Sequence, residues 1–336
     1  MTAAPPPTPL SASGSTCDVS IIIANWNGEK LLKDCLGSIY QLTKSVSFEV
    51  IVSDDVSPDG SVEFVRRHFP QAVVQVNPRN SGFARTNNAA LPLARGRYIL
   101  LLNNDTVLQN DAISALAQVL DEQASVGICG GLLINPDGSL QHAYGAFPGV
   151  FTELARALGV QSRGKLQGWP NLAVTPRPDQ GLTDVGYIVG AGLMIRRELA
   201  EKLGLFDESF EAYFEDTDLC YRAHQEGWRV VFTSSARITH LFGASYGNEA
   251  AVPSERKLGL MERGFVRFCR KHYSPSWAAW VLKLHGWAYR WQIGILKLRL
   301  RVEPARRHLR WRGPLKTYEL SYKCFRETMG SAKIPL

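Results

Sequence analysis

No Cys-x-x-Cys pair occurs among the six cysteines of this 336-residue chain (Cys17, Cys35, Cys129, Cys220, Cys269, Cys324), which are scattered along its length. That spacing suggests neither a zinc site nor a disulfide framework, so buried reduced thiols of a cytosolic protein are expected. No uncharged apolar run reaches the roughly 18 residues of a membrane span. The opening residues, MTAAPPPTPLSASGST, lack the basic start and apolar block of a secretory signal. Their Pro, Ser and Thr content predicts a disordered leader over residues 1–17. A Gly-x-Gly-x-x-Gly fingerprint after the first strand signal is missing, and so is a Walker loop; Gly60 and Gly82 stand alone. Dinucleotide-dependent dehydrogenases are thereby disfavoured, and any nucleotide phosphate must be handled by other means.

What is present is an acidic body followed by a basic tail. From Glu255 onward there are 19 Lys/Arg against 5 Asp/Glu, whereas residues 1–254 hold 19 against 26. Such a tail suits an anionic partner, a membrane surface or a nucleic acid. Within the first hundred residues, strand and helix signals alternate. Val19–Ala24, Phe48–Val52, Ala72–Val76 and Tyr98–Leu102 are apolar, largely β-branched runs of strand length. Glu29–Leu42, Val62–Phe69 and Phe83–Ala94 carry helical spacing between them. This repeat predicts a doubly wound, mostly parallel α/β sheet. Asp111–Glu122 predicts another helix, and Gly127–Ile134, Tyr187–Arg196 and Trp228–Thr233 further strands. Residues 135–185 are Gly/Pro-rich and irregular.

Polar residues cluster after the predicted strands: Asn25 and Asn27, Asp54 and Asp55, Asn80, then Asn103-Asn104-Asp105. Ligands of open α/β sheets bind beyond the carboxyl ends of the strands, so these loops are expected to share one crevice. Asn103-x-Asp105 offers a hard divalent cation a carboxylate and a nearby amide, although the same residues also end strands as turn formers. Gly190 and Gly192 would permit close approach of a ligand or another backbone. Phe206–Arg222 (FDESFEAYFEDTDLCYR) interleaves six carboxylates with the rings of Phe206, Phe210, Tyr213 and Phe214, and its second half reads as a short helix. Partial burial there would tune a carboxylate's proton affinity; the plainer alternative is an acidic helix start with an Asp218–Arg222 ion pair. His240 is open between structural histidine and ligand. In the tail, a helical wheel of Trp277–Leu300 gathers Trp277, Trp280, Val281, Leu284, Trp287, Trp291, Ile295 and Leu298 on one arc, beside lines of cations. With Arg306–Arg312 this fits a helix in an anionic membrane interface, or a packed helix with snorkelling cations. No nucleic-acid module is recognisable.

In their order and spacing, six stretches resemble a family 2 glycosyltransferase of the GT-A fold, and most of all its rhamnosyltransferase-like members that build bacterial surface polysaccharides. They are VSIIIANWNGEKLLKDCLGSI, VIVSDDVSPDGS, NSGFARTNNAAL, GRYILLLNNDTVL, GAGLMIRRELAEKLGLFDESFEAYFEDTDLCYRAHQEGWRVVF and HLFGAS. The resemblance implies a GT-A domain over residues 18–250, and the charge and tryptophan pattern makes 251–336 a basic, Trp-rich helical tail. It implies that Ala24, Asn25, Asn27 and the Asp54 carboxylate hold the nucleobase. Asn80, Asn87, Asn88 and Asn104 then serve the rest of the nucleotide. Asp105 corresponds to the metal carboxylate, His240 to the histidine completing the metal and diphosphate site, and Asp216 to the catalytic base. Glu215 is the rival base, Asp218 a structural partner of Arg222, and Gly192 and Trp228 are acceptor-side or supporting positions. Asn103 departs from the first Asp of the family motif, Asp55 stands where Asn is common, and Asn87 where some relatives have Arg.

The implied reaction is metal-dependent, inverting transfer of a sugar, rhamnose among the candidates, from a UDP-, dTDP- or GDP-sugar. The implied acceptor is a hydroxyl of a lipid-linked oligosaccharide or polysaccharide precursor, and the cofactor is Mg2+ or Mn2+. The tail would hold the protein peripherally on the inner, cytoplasmic face of the cell membrane, with no nucleic acid involved. Two other readings fit the sheet: a nucleotidyltransferase, which would release pyrophosphate, and an inactive membrane-bound assembly subunit. The presence of both Asp105 and Asp216 speaks against the second.

Overall fold

The computed structural model describes residues 17–158, 179, 181–241, 253–302 and 309–331. The expected leader up to residue 16, the HLFGAS stretch beyond Leu241 and the side chains of 303–310 lie outside them. The chain divides into two compact units, one of Met1–Gly145, Ala173–Ser209 and Glu215–Gly247, the other of Ala146–Leu172, Phe210–Phe214 and Asn248–Leu336. The second unit thus takes in two segments far upstream of the basic tail.

The first unit opens with the expected alternation: β1 (Cys17–Asn25), α1 (Glu29–Leu42), β2 (Phe48–Asp54), α2 (Ser61–His68), β3 (Val73–Val76), α3 (Phe83–Ala90) and β4 (Gly96–Leu102). Helix α3 stops earlier than its spacing suggested, because Pro92 cannot donate to the helical ladder and Leu91–Leu93 tightens into a 3-10 turn. Next come β5 (Thr106–Leu108), α4 (Ala112–Glu122), β6 (Val126–Ile134) and β7 (Tyr144–Gly145); α5 (Val150–Ala157) belongs to the second unit. The first unit resumes with β8 (Thr183–Asp184), β9 (Tyr187–Ile188), β10 (Gly192–Arg196), α6 (Arg197–Leu203), α7 (Glu215–Gln225) and β11 (Arg229–His240).

The main sheet runs β3-β2-β1-β4-β10-β6-β11-β5, with β8 paired to β11. Strands β1, β2, β3 and β4 are mutually parallel, as are β6 and β11, while β10 runs antiparallel between β4 and β6. Gly192 at the start of β10 therefore lies opposite Leu102 at the end of β4. The carboxyl ends of β1, β2, β4, β6 and β11 and the amino end of β10 share one edge. Consecutive Ile21, Ile22 and Ile23 are fully buried, so β1 is covered on both faces; α1 contributes Leu32, Cys35, Leu36 and Ile39 at helical spacing. Each such aliphatic side chain stabilises the fold by about 1.5–3 kcal/mol.

Two strand expectations are corrected. Tyr187–Arg196 is not one strand: β9 pairs with β7 in a separate two-stranded sheet, and only β10 joins the main sheet. The break falls at Gly190 and Ala191, whose polar backbone groups turn to Asp216 and Asn103 instead of a ladder. Conversely, the strand expected over Trp228–Thr233 begins at Arg229 and runs on to His240 as the single strand β11, with a bulge between Phe232 and Arg237.

The second unit holds α5, α8 (Glu255–His272), α9 (Pro275–Val302) and α10 (Leu309–Gly330). Its core is Phe265, Val266, Cys269, Ala278, Val281, Leu282, Tyr289 and Phe325. The single apolar arc expected of α9 divides here: Val281 faces the core, whereas Trp277, Trp280, Trp287 and Trp291 are exposed. Among the described residues, no helix is long and apolar enough to cross a membrane.

Candidate active site

At the carboxyl edge of the sheet, buried side chains are tied into one polar line that begins at Asp54, at the end of β2. Asp54 Oδ2 accepts from Asn25 Nδ2 at 2.8 Å and from the Ser57 hydroxyl at 2.6 Å, while Oδ1 accepts from the Ser57 N–H at 2.8 Å. Asn25, at the end of β1, accepts through Oδ1 from Asn104 Nδ2 at 2.8 Å. A Cβ on Gly28 would stand 2.3 Å from both atoms of that bond, so only glycine fits there. The turns on either side carry non-glycine residues at positive φ, Asn27 at 56° and Val56 at 60°. For a β-branched side chain this is a strained conformation, costing about 1–3 kcal/mol. At Val56 it allows Asp55 and Ser57, its two neighbours, both to bond inward. Asp55 accepts from the Ser81 and Gly82 N–H groups and from Asn77, and so fastens the turn ahead of α3.

Asp105 follows Asn104 and is 5% exposed. Its Oδ1 lies 3.3 Å from His240 Nε2, at the end of β11, and Asn103 Nδ2 is also 3.3 Å from that nitrogen. Asn103 Oδ1 is buried with no hydrogen-bond partner. A carboxylate and an imidazole nitrogen thus face each other, and the neighbouring Asn103 carries an orphaned amide oxygen; donors of these types suit Mn2+ or Mg2+. Gln141 backs the imidazole: its Oε1 lies 2.9 Å from His240 Nδ1, and its Nε2 donates to the His240 carbonyl at 2.6 Å and to Asn135 Oδ1 at 2.7 Å.

The line reaches Asp216 through two adjacent residues. The Asn103 N–H donates to the Ala191 carbonyl at 3.2 Å, and the Gly190 N–H donates to Asp216 Oδ2 at 2.9 Å. Asp216 Oδ1 accepts from the Thr217 N–H at 2.6 Å and from its hydroxyl at 3.1 Å. Two successive left-handed residues, Tyr213 and Phe214, precede the acidic first turn of α7 that carries Asp216. The sequence left open whether the helix start or burial governs this carboxylate. Burial wins over the hydrogen bonds from Gly190 and Thr217, and the Asp216 pKa is raised. Burial, assisted by the Asp216 charge, pushes Glu215 up to about 8, and Glu215 Oε2 has no hydrogen-bond partner. Asp218 is fully buried on Arg222, whose Nε donates at 2.7 Å while the rest of the guanidinium caps the Leu203, Gly204 and Leu205 carbonyls.

Other expected residues sit elsewhere. Ala24 is half-buried and pairs with Ser53 in the β1–β2 register, and Asn27 is exposed. Asn80 is exposed and donates to the Asp55 carbonyl, at the rim of the same region. Asn87 is buried and donates to Phe83 within α3. Asn88 donates to the Phe206 carbonyl and accepts from its N–H, so its amide braces the 206 loop. The space at Gly192 is filled by the Ile238 side chain, 2.8 Å from where a Cβ would stand. Trp228 is buried just before β11, at the opposite end of that strand from His240, with the Arg196 guanidinium over its ring. A separate groove lined by Gln109, Asn110, Ile134, Thr233 and Arg237 contains none of these residues.

The sequence reading missed Gly28, Ser57 and Gln141. A signal for Gln141 existed: Asn135-Pro136-Asp137-Gly138 is a turn sequence, and Gly138 adopts φ 82° in a hairpin that returns the chain to bridge Leu140 with Ile134.

Comparison with known proteins identifies the family and the fold. The model of "Glycosyl transferase family 2" matches residues 20–204, more than half of the chain, and that of "Glycosyl transferase family group 2" matches residues 177–330. An uncharacterized protein of Sinorhizobium fredii is 30% identical over 282 residues, 77% of this chain but only 29% of that protein's length. An N-acetylglucosaminyl-diphospho-decaprenol L-rhamnosyltransferase of Mycobacterium tuberculosis is 24% identical over 248 residues, 70% of this chain and 79% of that one. The mannosyltransferase of Pyrobaculum calidifontis, solved with GDP-Man and Mn2+, shares the GT-A fold at TM-score 0.58 and 16% identity, over 98% of this chain and 92% of its own. The match over residues 20–204, more than half of the sequence, shows that the chain belongs to glycosyl transferase family 2.

Proposed function

We propose that this glycosyltransferase is inverting and metal-dependent, and moves a sugar from a nucleotide-diphospho-sugar to a hydroxyl of a lipid-linked or saccharide acceptor. The observation that carries the reading is the continuous polar line from Asp54 through Asn25, Asn104, Asp105 and Asn103 to the Gly190–Ala191 hinge and Asp216. Asp54 and the Asn25 turn hold the nucleobase end, with Asn27 and Asn80 at its rim. Asp105, His240 and the Asn103 carbonyl would hold a divalent cation, which would supply charge stabilisation to a departing diphosphate. Asp216 accepts the proton of the acceptor hydroxyl as its oxygen bonds to the anomeric carbon. The bond from that carbon to the diphosphate breaks with its electron pair, on the opposite face. General base assistance of this kind contributes about 10²–10⁴-fold. The raised Asp216 pKa makes it a better proton acceptor than an exposed carboxylate. Glu215 is kept neutral by burial and supports Asp216 without competing for the proton.

Rhamnose is the candidate sugar and a polyprenyl-diphosphate-linked saccharide the candidate acceptor, supported by the name of the mycobacterial relative. Docking on the inner face of the membrane would follow from α9, which carries no Asp or Glu and exposes Trp277, Trp280, Trp287 and Trp291 beside Lys283, Arg290 and Lys297. The test is a panel of UDP-, dTDP- and GDP-sugars with Mn2+ or Mg2+, scored for the phosphate species released. Nucleoside diphosphate released only with metal supports the reading; pyrophosphate would make the protein a nucleotidyltransferase.

A further inference from the structure

We propose that Gln141 is a positioning residue that fixes His240 as the Nδ1–H tautomer and so keeps its Nε2 lone pair directed at the Asp105–Asn103 cation site. The inference rests on the metal role proposed above for Asp105 and His240. Its geometry, however, can be checked without metal.

The orientation of the Gln141 amide is determined by its partners. One terminal atom lies 2.6 Å from the His240 backbone carbonyl, which can only accept, and 2.7 Å from Asn135 Oδ1. That atom must be the NH2 nitrogen. The other terminal atom is therefore the carbonyl oxygen, and it stands 2.9 Å from His240 Nδ1. A carbonyl oxygen cannot donate, so Nδ1 carries the proton and a neutral imidazole has its lone pair on Nε2. Nε2 is the nitrogen that faces Asp105 Oδ1 and Asn103 Nδ2, each at 3.3 Å. Gln141 thus grips His240 twice, by main chain and by ring, and the ring loses both its choice of tautomer and its freedom to rotate.

Gln141 is itself held. Its N–H donates to the Leu133 carbonyl at 2.9 Å, the Leu140–Ile134 bridge closes the hairpin, and Asn135, at the base of the turn, receives the Gln141 amide. The hairpin that follows β6 therefore reaches across to the end of β11 and sets the chemistry of a side chain 99 residues downstream. A neutral histidine ligand whose second nitrogen donates to a carbonyl is the general way a protein orients a metal-binding imidazole. Loss of such an outer partner costs about 10–100-fold in metal affinity.

The test uses the full chain labelled with 15N-histidine, as wild type and as Gln141→Met, which keeps length but removes both amide functions. Two-bond 15N–1H spectra at about pH 8, above the ordinary imidazole range, report the His240 tautomer, with His240→Asn identifying its signals. Wild type should show protonated Nδ1 and a lone pair on Nε2, and Gln141→Met should show a mixture or the opposite tautomer. Mn2+ titration, followed by the electron paramagnetic resonance of free Mn2+, should give a 10- to 100-fold weaker dissociation constant for Gln141→Met at unchanged circular dichroism. An Nε2–H tautomer in wild type would overturn the proposal whatever the variant does, as would an unchanged tautomer and affinity in Gln141→Met. If wild type binds no Mn2+ at all, the metal reading of the site fails, and the tautomer spectra alone decide the role of Gln141.

Discussion

Replacing Gly28 by alanine tests whether the Asn25–Asn104 bond is the joint between the nucleobase and metal ends of the site. The backbone at Gly28 has φ −118°, which alanine adopts without strain, so the cost is steric alone. The new Cβ would fall 2.3 Å from Asn104 Nδ2 and 2.3 Å from Asn25 Oδ1, where such contacts are essentially never under 3.0 Å. Each amide must retreat by about 0.7 Å, and a 2.8 Å bond between two side chains of 2% and 6% exposure is broken. Losing this buried amide–amide bond costs about 1–3 kcal/mol. If that loss falls on donor binding, it amounts to roughly 5- to 150-fold, since each 1.36 kcal/mol is tenfold. Because Asn25 also holds Asp54, the donor KM should rise more than kcat falls. Initial rates with the donor found by the nucleotide-sugar panel, together with thermal melts, measure both effects. Gly37→Ala is the control: nothing lies within 4 Å of its new Cβ, and it should be neutral or stabilising. Wild-type donor KM and Tm in Gly28→Ala would refute the idea that this bond organises the site.

Four further outcomes are expected. Asp216→Asn should lower kcat by about 10²–10⁴-fold with nucleotide affinity nearly unchanged in calorimetry; near-normal turnover would remove Asp216 as the base. Glu215 is raised by burial, so the stability of its neutral form is present below the ordinary carboxylate range and is lost as pH rises through about 8. Glu215→Gln should therefore gain Tm relative to wild type as pH increases, and a constant difference would contradict its burial. Within the helical unit, burial alone would lower the His285 pKa, but Glu153, at 2.7 Å, and Glu262, at 3.0 Å, outweigh it and raise it. That imidazolium stabilises the unit below its ordinary pKa and ceases to as pH climbs through the raised one. His285→Phe, which leaves two buried carboxylates, should cost about 3–5 kcal/mol in chemical denaturation, and a loss under 1 kcal/mol would show that the carboxylates find other partners. Finally, Trp280→Ser/Trp287→Ser/Trp291→Ser should release the protein from sedimenting phosphatidylglycerol vesicles at unchanged Tm; equal sedimentation would remove the exposed face of α9 as a membrane contact. Point variants are preferred to deleting residues 277–336, because Val281, Leu282 and Tyr289 of α9 build the core of their unit.

The alternation of strand and helix from β1 to β4 was legible because β1, β2 and β4 carry aliphatic runs buried on both faces, β3 is a β-branched run at the half-exposed sheet edge, and the helices between them carry apolar stripes. The same logic placed the polar loops together, since every one follows a strand that ends at the shared edge. It failed where polar backbone groups have tertiary partners. Gly190 and Ala191 lie inside what reads as a strand, yet their groups serve Asp216 and Asn103. The bulge in β11 and the brace made by Asn88 depend on contacts that local pattern does not encode. Helix α5 hides in a stretch whose glycines and prolines dominate the pattern. The tryptophans of α9 illustrate a different limit. On a helical wheel they lie beside Val281, but only the packed unit shows which side of that arc is covered.

One continuous line of residues at the sheet edge is proposed to serve nucleobase, cation and base alike. Crystals soaked with Mn2+ and the nucleoside diphosphate that most raises Tm would test it directly, through the anomalous signal of the metal. A single strong peak coordinated by Asp105 and His240, with the base of the nucleotide against Asp54, is the expected result. A peak among Glu255, Cys324 and Glu327, a cluster of ligand-type side chains in the helical unit, with no nucleotide beside Asp54, would be the opposite outcome.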